Sequence, residues 1–183
     1  MDKFFIKSEE AALVIIDIQE RLAMTMKQKS QVVTNGLHLI ETSKLMSIPI
    51  LVTEQYPKGL GPTLPELRET LPVYAPFEKL SFNCCQEPGF LEKVGTLGRK
   101  KILVTGMEAH ICVLQTSLGL MQAGYTVHVV QDAVCSRTKP DFKAGVEFMR
   151  NAGAVMTCTE IVLFQLLQKA GTEVFKAISK RIK

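Results

Sequence analysis

The sequence predicts an α/β fold in which parallel strands form one sheet with helices on both faces. Apolar runs typical of strands alternate along the chain with segments whose apolar residues recur every three or four positions, as in amphipathic helices. Some runs, such as Ala11–Ile16, are continuously apolar, which is typical of a strand buried on both faces. Right-handed crossovers between parallel strands account for both observations.

Six strands are predicted, with helices and loops between them. The predicted strands are residues 11–16, 48–53, 74–82, 102–104, 125–130 and 154–158. The predicted helices are residues 32–46, 64–70, 89–97, 109–124, 140–152, 159–169 and 172–183, with a short helix or loop at 19–26. Residues 54–65 are rich in Gly and Pro and form a predicted long loop after the second strand, where loops commonly carry specificity.

Length and composition indicate one soluble globular domain, residues 1–183. The chain is 46% hydrophobic and 22% charged, and its net charge is +4. Much of the basic excess falls at the C-terminus and is interpreted as a solvated helix end, so no nucleic-acid partner is expected. The residues concerned are Lys176, Lys180, Arg181 and Lys183. Without a signal segment or an apolar run of ~18 residues, the chain is predicted to be cytoplasmic, with no membrane partner.

The five cysteines are an odd number without framework spacing, which favours free thiols in a reducing compartment. Cys84 and Cys85 are adjacent, match no zinc pattern and are interpreted as packing residues, since a redox pair would need Cys-x-x-Cys spacing. His38 is interpreted as a helix-surface or packing residue, and His128 as a satisfied buried histidine.

Cys112 stands where the chain changes from strand to helix. Residues 102–104 are continuously apolar, Gly106 interrupts them, and helical spacing begins at Ala109. Cys112 therefore lies in the first turn of a helix at the carboxyl edge of the sheet, where ligands bind and where a helix N-terminus lowers a thiol pKa. A buried structural cysteine is the alternative, with roughly even weight on this stretch alone.

Two further charged residues are predicted at the same edge. Asp17 closes the first strand and is either a helix N-cap or a site residue. Lys79 lies on the third strand or just past it and, without an acidic partner, is an ordinary solvated lysine.

The three residues lie in or near the segments VIIDIQ, TEQYPKGLGPT, EKLSF and VTGMEAHICVLQT. Together these segments resemble the isochorismatase-like cysteine hydrolases. The likeness runs over residues 11–158 and is closest to the branch whose substrates are unassigned. It implies a Rossmann-like, three-layer α/β/α sandwich with a six-stranded parallel sheet. It also implies a catalytic triad of Asp17, Lys79 and Cys112 and a cis peptide bond between Met107 and Glu108, which would turn backbone N–H groups toward a substrate carbonyl.

The chemistry implied is hydrolysis of an amide or related C–N bond of a small molecule through a thioester at Cys112. Lys79 and the helix turn are expected to depress the pKa of the thiol, and Asp17 to move protons. Backbone N–H groups near Cys112 would hold the oxyanion. Candidate pocket residues, chosen by position alone, are Gln19, Tyr56, Phe82, His110 and Ile111.

Departures from relatives limit this interpretation. Nicotinamidases of the superfamily carry an Asp-x-His and a later His that bind a metal, whereas Glu54, Gln55 and Tyr56 stand here without histidine. No metal or cofactor is therefore expected. Isochorismatases proper do not use the cysteine, so Cys112 argues against that activity. The alternatives are a nicotinamidase-like amidase of different specificity, a non-catalytic interaction protein that keeps the fold and, as the weakest, a thiol redox protein.

Relatives generally assemble into dimers or larger oligomers, so a homo-oligomer is expected. Apolar residues near the C-terminus could form its interface or could pack on the chain's own sheet. They are Ile161, Val162, Phe164, Leu166 and Leu167.

Overall fold

A computed structural model describes residues 1–182 and contains one sheet of six parallel strands. The strands are β1 (Ala11–Ile16), β2 (Ile50–Gln55), β3 (Phe77–Lys79), β4 (Lys101–Met107), β5 (Thr126–Cys135) and β6 (Val155–Thr157). Their order across the sheet is β3-β2-β1-β4-β5-β6, and every neighbouring pair is parallel. The predicted α/β fold with a six-stranded parallel sheet is confirmed.

Helices cover both faces of the sheet. They are α1 (Glu20–Ala23), α2 (Lys29–Leu45), α3 (Pro57–Leu60), α4 (Pro65–Thr70), α5 (Phe90–Thr96), α6 (Leu114–Gln122), α7 (Lys139–Asn151), α8 (Thr159–Leu167) and α9 (Glu173–Arg181). One apolar core includes side chains of α2, α4 and α8, and a second includes side chains of α5, α6 and α7. The sheet lies between these two cores, which gives three layers.

The central position of β1 explains its continuous apolar sequence. Ile16 is paired with Thr53 of β2 on one side and with Gly106 of β4 on the other, and all six residues of β1 are buried. Asp17 follows directly, so its carboxylate is placed between the carboxyl ends of two neighbouring strands. This is the point at which the chain order reverses across the sheet, where open α/β sheets bind ligands.

Gly106 is required where β4 passes Ile16. Its φ is +144°, and a Cβ atom there would lie 2.1 Å from the carbonyl oxygen of Ile16. Any side chain would therefore push β4 away from β1 at the carboxyl edge.

Four strands differ in length from the sequence prediction. β4 has seven residues where three were predicted, and β6 has three where five were predicted. β3 is only three residues long, and β5 continues five residues past the predicted end at Val130. The extension exists because Val134 and Cys135 pair with Gly106 and Met107 of β4 after a bulge, a long-range pairing that local sequence does not reveal.

His128, in β5, is not the satisfied buried histidine that the sequence suggested. It is fully buried, and neither ring nitrogen has a hydrogen-bond partner among the described residues. Burial, together with the nearby Lys101 ammonium, lowers the pKa of this imidazole to about 4. The residues beside it in the strand, Val127, Val129 and Val130, are also buried.

The C-terminal apolar residues divide between core and surface. Val162, Leu166 and Leu167 are buried in the chain's own cores, whereas Ile161 and Phe164 are about half exposed. The expected homo-oligomer therefore stays a prediction. Lys183, the last of the basic C-terminal residues, lies outside the described residues. No helix within 1–182 is long and apolar enough to cross a membrane, and the cytoplasmic location is likewise a prediction still.

Candidate active site

Three strands and one helical turn bring Asp17, Lys79 and Cys112 to the carboxyl edge of the sheet. Asp17 follows β1 with a positive φ of 52°, and its N–H donates to the carbonyl of Thr53 at 3.3 Å. Lys79 is the last residue of β3 and pairs in register with Gln55 of β2. Cys112 lies in a π-helical turn, Ala109–Val113, that joins β4 to α6. Such turns are frequent at functional sites.

A buried ion pair organises this edge. The Nζ atom of Lys79 lies 2.7 Å from Oδ2 of Asp17, and neither side chain is exposed to solvent. Nζ also donates to Oε1 of Gln55 at 2.6 Å and to the carbonyl of Ser81 at 3.3 Å. An ammonium has three donors, so all the N–H groups of Lys79 are engaged. Lys79 is therefore not the solvated surface lysine that was the alternative.

The second oxygen of Asp17 is also held. Oδ1 accepts a hydrogen bond from the hydroxyl of Thr53 at 2.7 Å. Hydrogen bonds to a charged acceptor are roughly twice as strong as neutral ones. Asp17 is thus fixed in orientation by groups from two different strands, β2 and β3.

The ionisation of Cys112 differs from the sequence expectation. Burial raises the pKa of the Cys112 thiol well above its ordinary range, the Asp17 carboxylate raises it further, and Lys79 opposes both effects without overcoming them. The expectation of a depressed pKa is wrong, because burial of the thiol and the adjacent Asp17 carboxylate outweigh the effect of the Lys79 ammonium. At rest the thiol is protonated beside a carboxylate that can accept its proton.

Lys79 remains a cation in this environment. Burial alone lowers the pKa of its ammonium, but the Asp17 carboxylate and the neighbouring thiol groups outweigh that effect, so the pKa is raised.

The turn that carries Cys112 is closely packed. The N–H groups of Ile111 and Val113 both donate to the carbonyl of Glu108, at 3.1 and 3.2 Å. Gly145 of α7 lies against the turn, and a Cβ atom there would be 2.8 Å from the carbonyl oxygen of Ala109. The peptide bond between Met107 and Glu108, at the position indicated by the family resemblance, is cis.

Asp17 and Cys112 line the same small cavity, with a volume of about 90 Å³. Two of the candidate pocket residues, Phe82 and Ile111, line it as well. Its other lining residues are Leu22, Gln55, Leu60 and Glu108. The cavity therefore has apolar walls, and its polar groups come from the carboxyl ends of the strands.

The other three pocket candidates lie elsewhere. Gln19 is fully buried, its Nε2 donates to the carbonyls of Gln55 and Gly61, and it holds the loop after β2 in place. Tyr56 borders a separate cavity of about 310 Å³. The Nδ1 atom of His110 lies 2.9 Å from the hydroxyl of Ser136. None of the three is among the residues that line the cavity at Cys112.

Sequence reasoning missed Thr53, Gln55 and Cys84. The two β2 residues were detectable as polar side chains at the end of an apolar strand. Their partners, Asp17 after β1 and Lys79 of β3, depend on the pairing of β2 with both strands. Cys84, interpreted only as a packing residue, is buried near Lys79. Burial raises the pKa of the Cys84 thiol to about 11, against the opposing effect of the Lys79 ammonium.

The carboxylate of Glu54 is committed to structure. Its Oε1 accepts hydrogen bonds from the N–H and the hydroxyl of Thr63, at 2.6 and 2.8 Å, and from the hydroxyl of Tyr74. Among the residues that the structure describes, no group of three or more His, Cys, Asp or Glu side chains could hold a metal ion.

A larger cavity lies away from these residues. It has a volume of about 510 Å³ and is found beyond the carboxyl ends of β5 and β6. Its lining residues include Asp132, Cys135, Phe142 and Cys158, and neither Asp17 nor Cys112 is among them.

Known proteins resemble this chain over most of its length. Isochorismatase family protein 1B of Dictyostelium discoideum is 37% identical over 174 residues, which cover 93% of this chain and 84% of that protein. The structure of MAR1 ribonuclease from Caenorhabditis elegans superposes with a TM-score of 0.90 at 38% identity, covering 97% of this chain and 92% of the other.

A bacterial structure adds chemical information. YcaC from Pseudomonas aeruginosa, determined with hexane-2,5-diol and covalent acrylamide, superposes with a TM-score of 0.89 at 25% identity. The match covers 97% of this chain and 91% of that one. Independently of these likenesses, residues 11–161 match the family model of the isochorismatase domain. The chain belongs to the isochorismatase domain family.

Proposed function

We propose that this protein is a cysteine hydrolase that cleaves an amide or related C–N bond of a small molecule through a thioester at Cys112. The observation that carries the proposal is the cavity that Cys112 and Asp17 line together, at the carboxyl edge of the sheet. Asp17 is the proton acceptor, and Lys79 orients it through a contact of 2.7 Å between Nζ and Oδ2. Neither the attack by Cys112 nor the proton transfer to Asp17 requires a metal.

The reaction begins from the neutral thiol. As the sulfur of Cys112 attacks the substrate carbonyl, Asp17 takes the thiol proton, so no free thiolate is needed beforehand. Backbone N–H groups near Cys112 stabilise the oxyanion. Collapse of the tetrahedral intermediate breaks the C–N bond, and the leaving nitrogen takes the proton from Asp17. Asp17 then deprotonates a water molecule that hydrolyses the thioester and restores the thiol.

Lys79 acts through Asp17. Its Nζ is fully engaged by Asp17, Gln55 and Ser81, so it has no donor left for the substrate. Its hydrogen bond to Oδ2 fixes the orientation of the Asp17 carboxylate.

Two comparisons support the proposal. Membership of the isochorismatase domain family supports hydrolase activity. The P. aeruginosa YcaC structure holds covalent acrylamide, which indicates a reactive nucleophile in that protein. We extend that property to Cys112 of this chain.

Three other functions are weaker. The C. elegans structure is named a ribonuclease, but a cavity of about 90 Å³ is far below the 300–1,000 Å³ typical of ligand sites, and a nucleotide would extend well beyond it. A nicotinamidase-like amidase would require a larger cavity for the aromatic ring. A non-catalytic interaction protein has no need for the buried Asp17–Lys79 pair beside a thiol.

The test is a screen with primary amides, nicotinamide and a short RNA, followed by mass spectrometry for a covalent adduct. We expect ammonia release and an acyl group on Cys112 with small amides, and neither with Cys112→Ala. Cys158→Ala removes a thiol that lies outside the cavity and serves as the control. Turnover retained in Cys112→Ala would eliminate the covalent mechanism, and RNA cleavage lost with Cys112→Ala would favour the ribonuclease.

A further inference from the structure

We propose that the cavity at Cys112 selects neutral, short-chain primary amides and excludes amides that carry a carboxylate, and that Glu108 contributes to the exclusion. This inference rests on the proposed function and defines its substrate class. It follows from the size of the cavity, from the acidic residues that line it and from the pairing of Lys79 and Arg137 with those residues.

The size of the cavity limits the substrate. About 90 Å³ corresponds to the space of about three water molecules, or about four to five non-hydrogen atoms of an organic molecule. Acetamide and propionamide have this size. Leu22, Leu60 and Ile111 form apolar walls suited to a short hydrocarbon chain.

The charges that line the cavity are negative. Asp17 and Glu108 are its only charged lining residues in the described part of the chain, and both are carboxylates. Glu108 is buried, and its Oε2 accepts hydrogen bonds from the backbone N–H and Nε of Arg137, at 3.0 and 3.1 Å. A carboxylate on the substrate would meet two like charges in a poorly solvated space.

The neighbouring cations are already paired with these carboxylates and do not line the cavity. All three donors of Lys79 are engaged by protein acceptors, and its ammonium is buried outside the cavity lining. Arg137 is bound to Glu108 through Nε, is about half exposed and does not line the cavity either. An amide N–H, by contrast, is a donor that either carboxylate can accept.

The first experiment compares two alkylating agents of similar size at Cys112, iodoacetamide and iodoacetate, by mass spectrometry at pH 8.5. The ratio of their rates in the folded protein is divided by the ratio at the same residue in urea, which removes their intrinsic difference in reactivity. We expect the neutral reagent to be favoured on the order of tenfold or more in the folded protein. A corrected ratio near one would overturn the proposal.

Variants assign the effect to Glu108. Glu108→Gln should bring the corrected ratio several-fold closer to one, whereas Glu92→Gln, on the exposed surface of α5, should leave it unchanged. Arg137→Met keeps the carboxylate but removes its cation and should increase the preference for iodoacetamide, which tests the charge even if Glu108→Gln fails to fold. A ratio that no variant at Glu108 or Arg137 alters would remove Glu108 from the proposal.

A turnover experiment separates this inference from the function on which it rests. Propionamide is compared with malonamate, in which a carboxylate replaces the methyl group. Formation of the acyl-enzyme with propionamide alone supports both proposals. Equal acylation by the two compounds overturns the charge selection and leaves the hydrolase intact. No acylation by any amide, with the alkylation preference retained, overturns the hydrolase and leaves the charge selection as a property of the cavity.

Discussion

Two buried sites in the parallel sheet, the Asp17–Lys79 pair and His128, differ in how their ionisable groups are hydrogen-bonded. At the carboxyl edge, Asp17 and Lys79 are fully buried, and every donor of the ammonium has an acceptor. In the amino-terminal half of β5, His128 is equally buried, yet neither ring nitrogen has a partner in the described structure. The Asp17–Lys79 pair therefore stays charged beside Cys112, whereas the imidazole of His128 is neutral.

The difference shows how one sheet can hold a reactive site without losing its core. A buried ion pair is retained only when its hydrogen bonds are complete, because removing one partner leaves an unpaired charge. An unpaired imidazole avoids that penalty by losing its proton, and the folded protein then becomes sensitive to acid.

Removing Lys79 is expected to give the largest effect. Lys79→Met leaves the Asp17 carboxylate buried without its cation and should lower the free energy of unfolding by about 3–5 kcal/mol. Urea unfolding followed by circular dichroism measures the change. The double variant Asp17→Asn/Lys79→Met removes both charges and should recover most of the loss while remaining inactive. If Lys79→Met were as stable as the wild type, the buried Asp17–Lys79 ion pair would not exist as described.

His128 should produce the next largest effect, through pH. Its pKa is about 4 in the folded protein and ~6.5 in the unfolded chain, so its stabilising contribution is complete above pH ~6.5 and is lost as the pH falls toward 4. The full difference amounts to roughly 3 kcal/mol. His128→Leu should remove this acid dependence from urea unfolding curves measured between pH 7 and pH 4.

His38 provides the comparison for that experiment. Burial also lowers the pKa of its imidazole, by a smaller amount, so His38→Leu should remove only a small part of the acid dependence. Equal losses of acid dependence in His38→Leu and His128→Leu would contradict the larger pKa shift assigned to His128.

Two threonines give the smallest and most closely matched test. The hydroxyl of Thr53 donates to Asp17, whereas the hydroxyl of Thr42 in α2 is buried without a partner among the described residues. Thr53→Val should lower the free energy of unfolding by about 1.5–3 kcal/mol, and Thr42→Val should be neutral or stabilising. A larger loss of stability in Thr42→Val than in Thr53→Val would mean that the hydrogen bonding of the hydroxyl does not determine the effect.

The sequence predicted the fold well because its main signals are local. Continuous apolar runs and helical spacing identified all six strands and the helix that follows β4. The full length of β5 could not be predicted, since residues after Val130 are held by pairing with the end of β4. The π-helical form of the Cys112 turn also depends on tertiary packing, against Gly145 of α7.

The sequence predicted the residues of the candidate site better than it predicted their ionisation. Asp17, Lys79 and Cys112 follow from strand ends and from the family resemblance. The ionisation of Cys112 does not, because it depends on whether the charge of Lys79 is free or neutralised, and only the structure shows its hydrogen bonds to Asp17 and Gln55. The catalytic roles of the three residues stay predictions.

The pH profile of Cys112 alkylation tests the central claim that Asp17 keeps the thiol neutral at rest and serves as its proton acceptor. In the wild type we predict a rate that rises continuously to pH 9 and above without a plateau, because burial and Asp17 raise the pKa of the thiol. Asp17→Asn leaves Lys79 unneutralised and should shift the profile to lower pH while abolishing turnover, whereas Lys79→Met should shift it to higher pH. A wild-type plateau reached below pH ~8.5, unaltered by Asp17→Asn, would contradict the account.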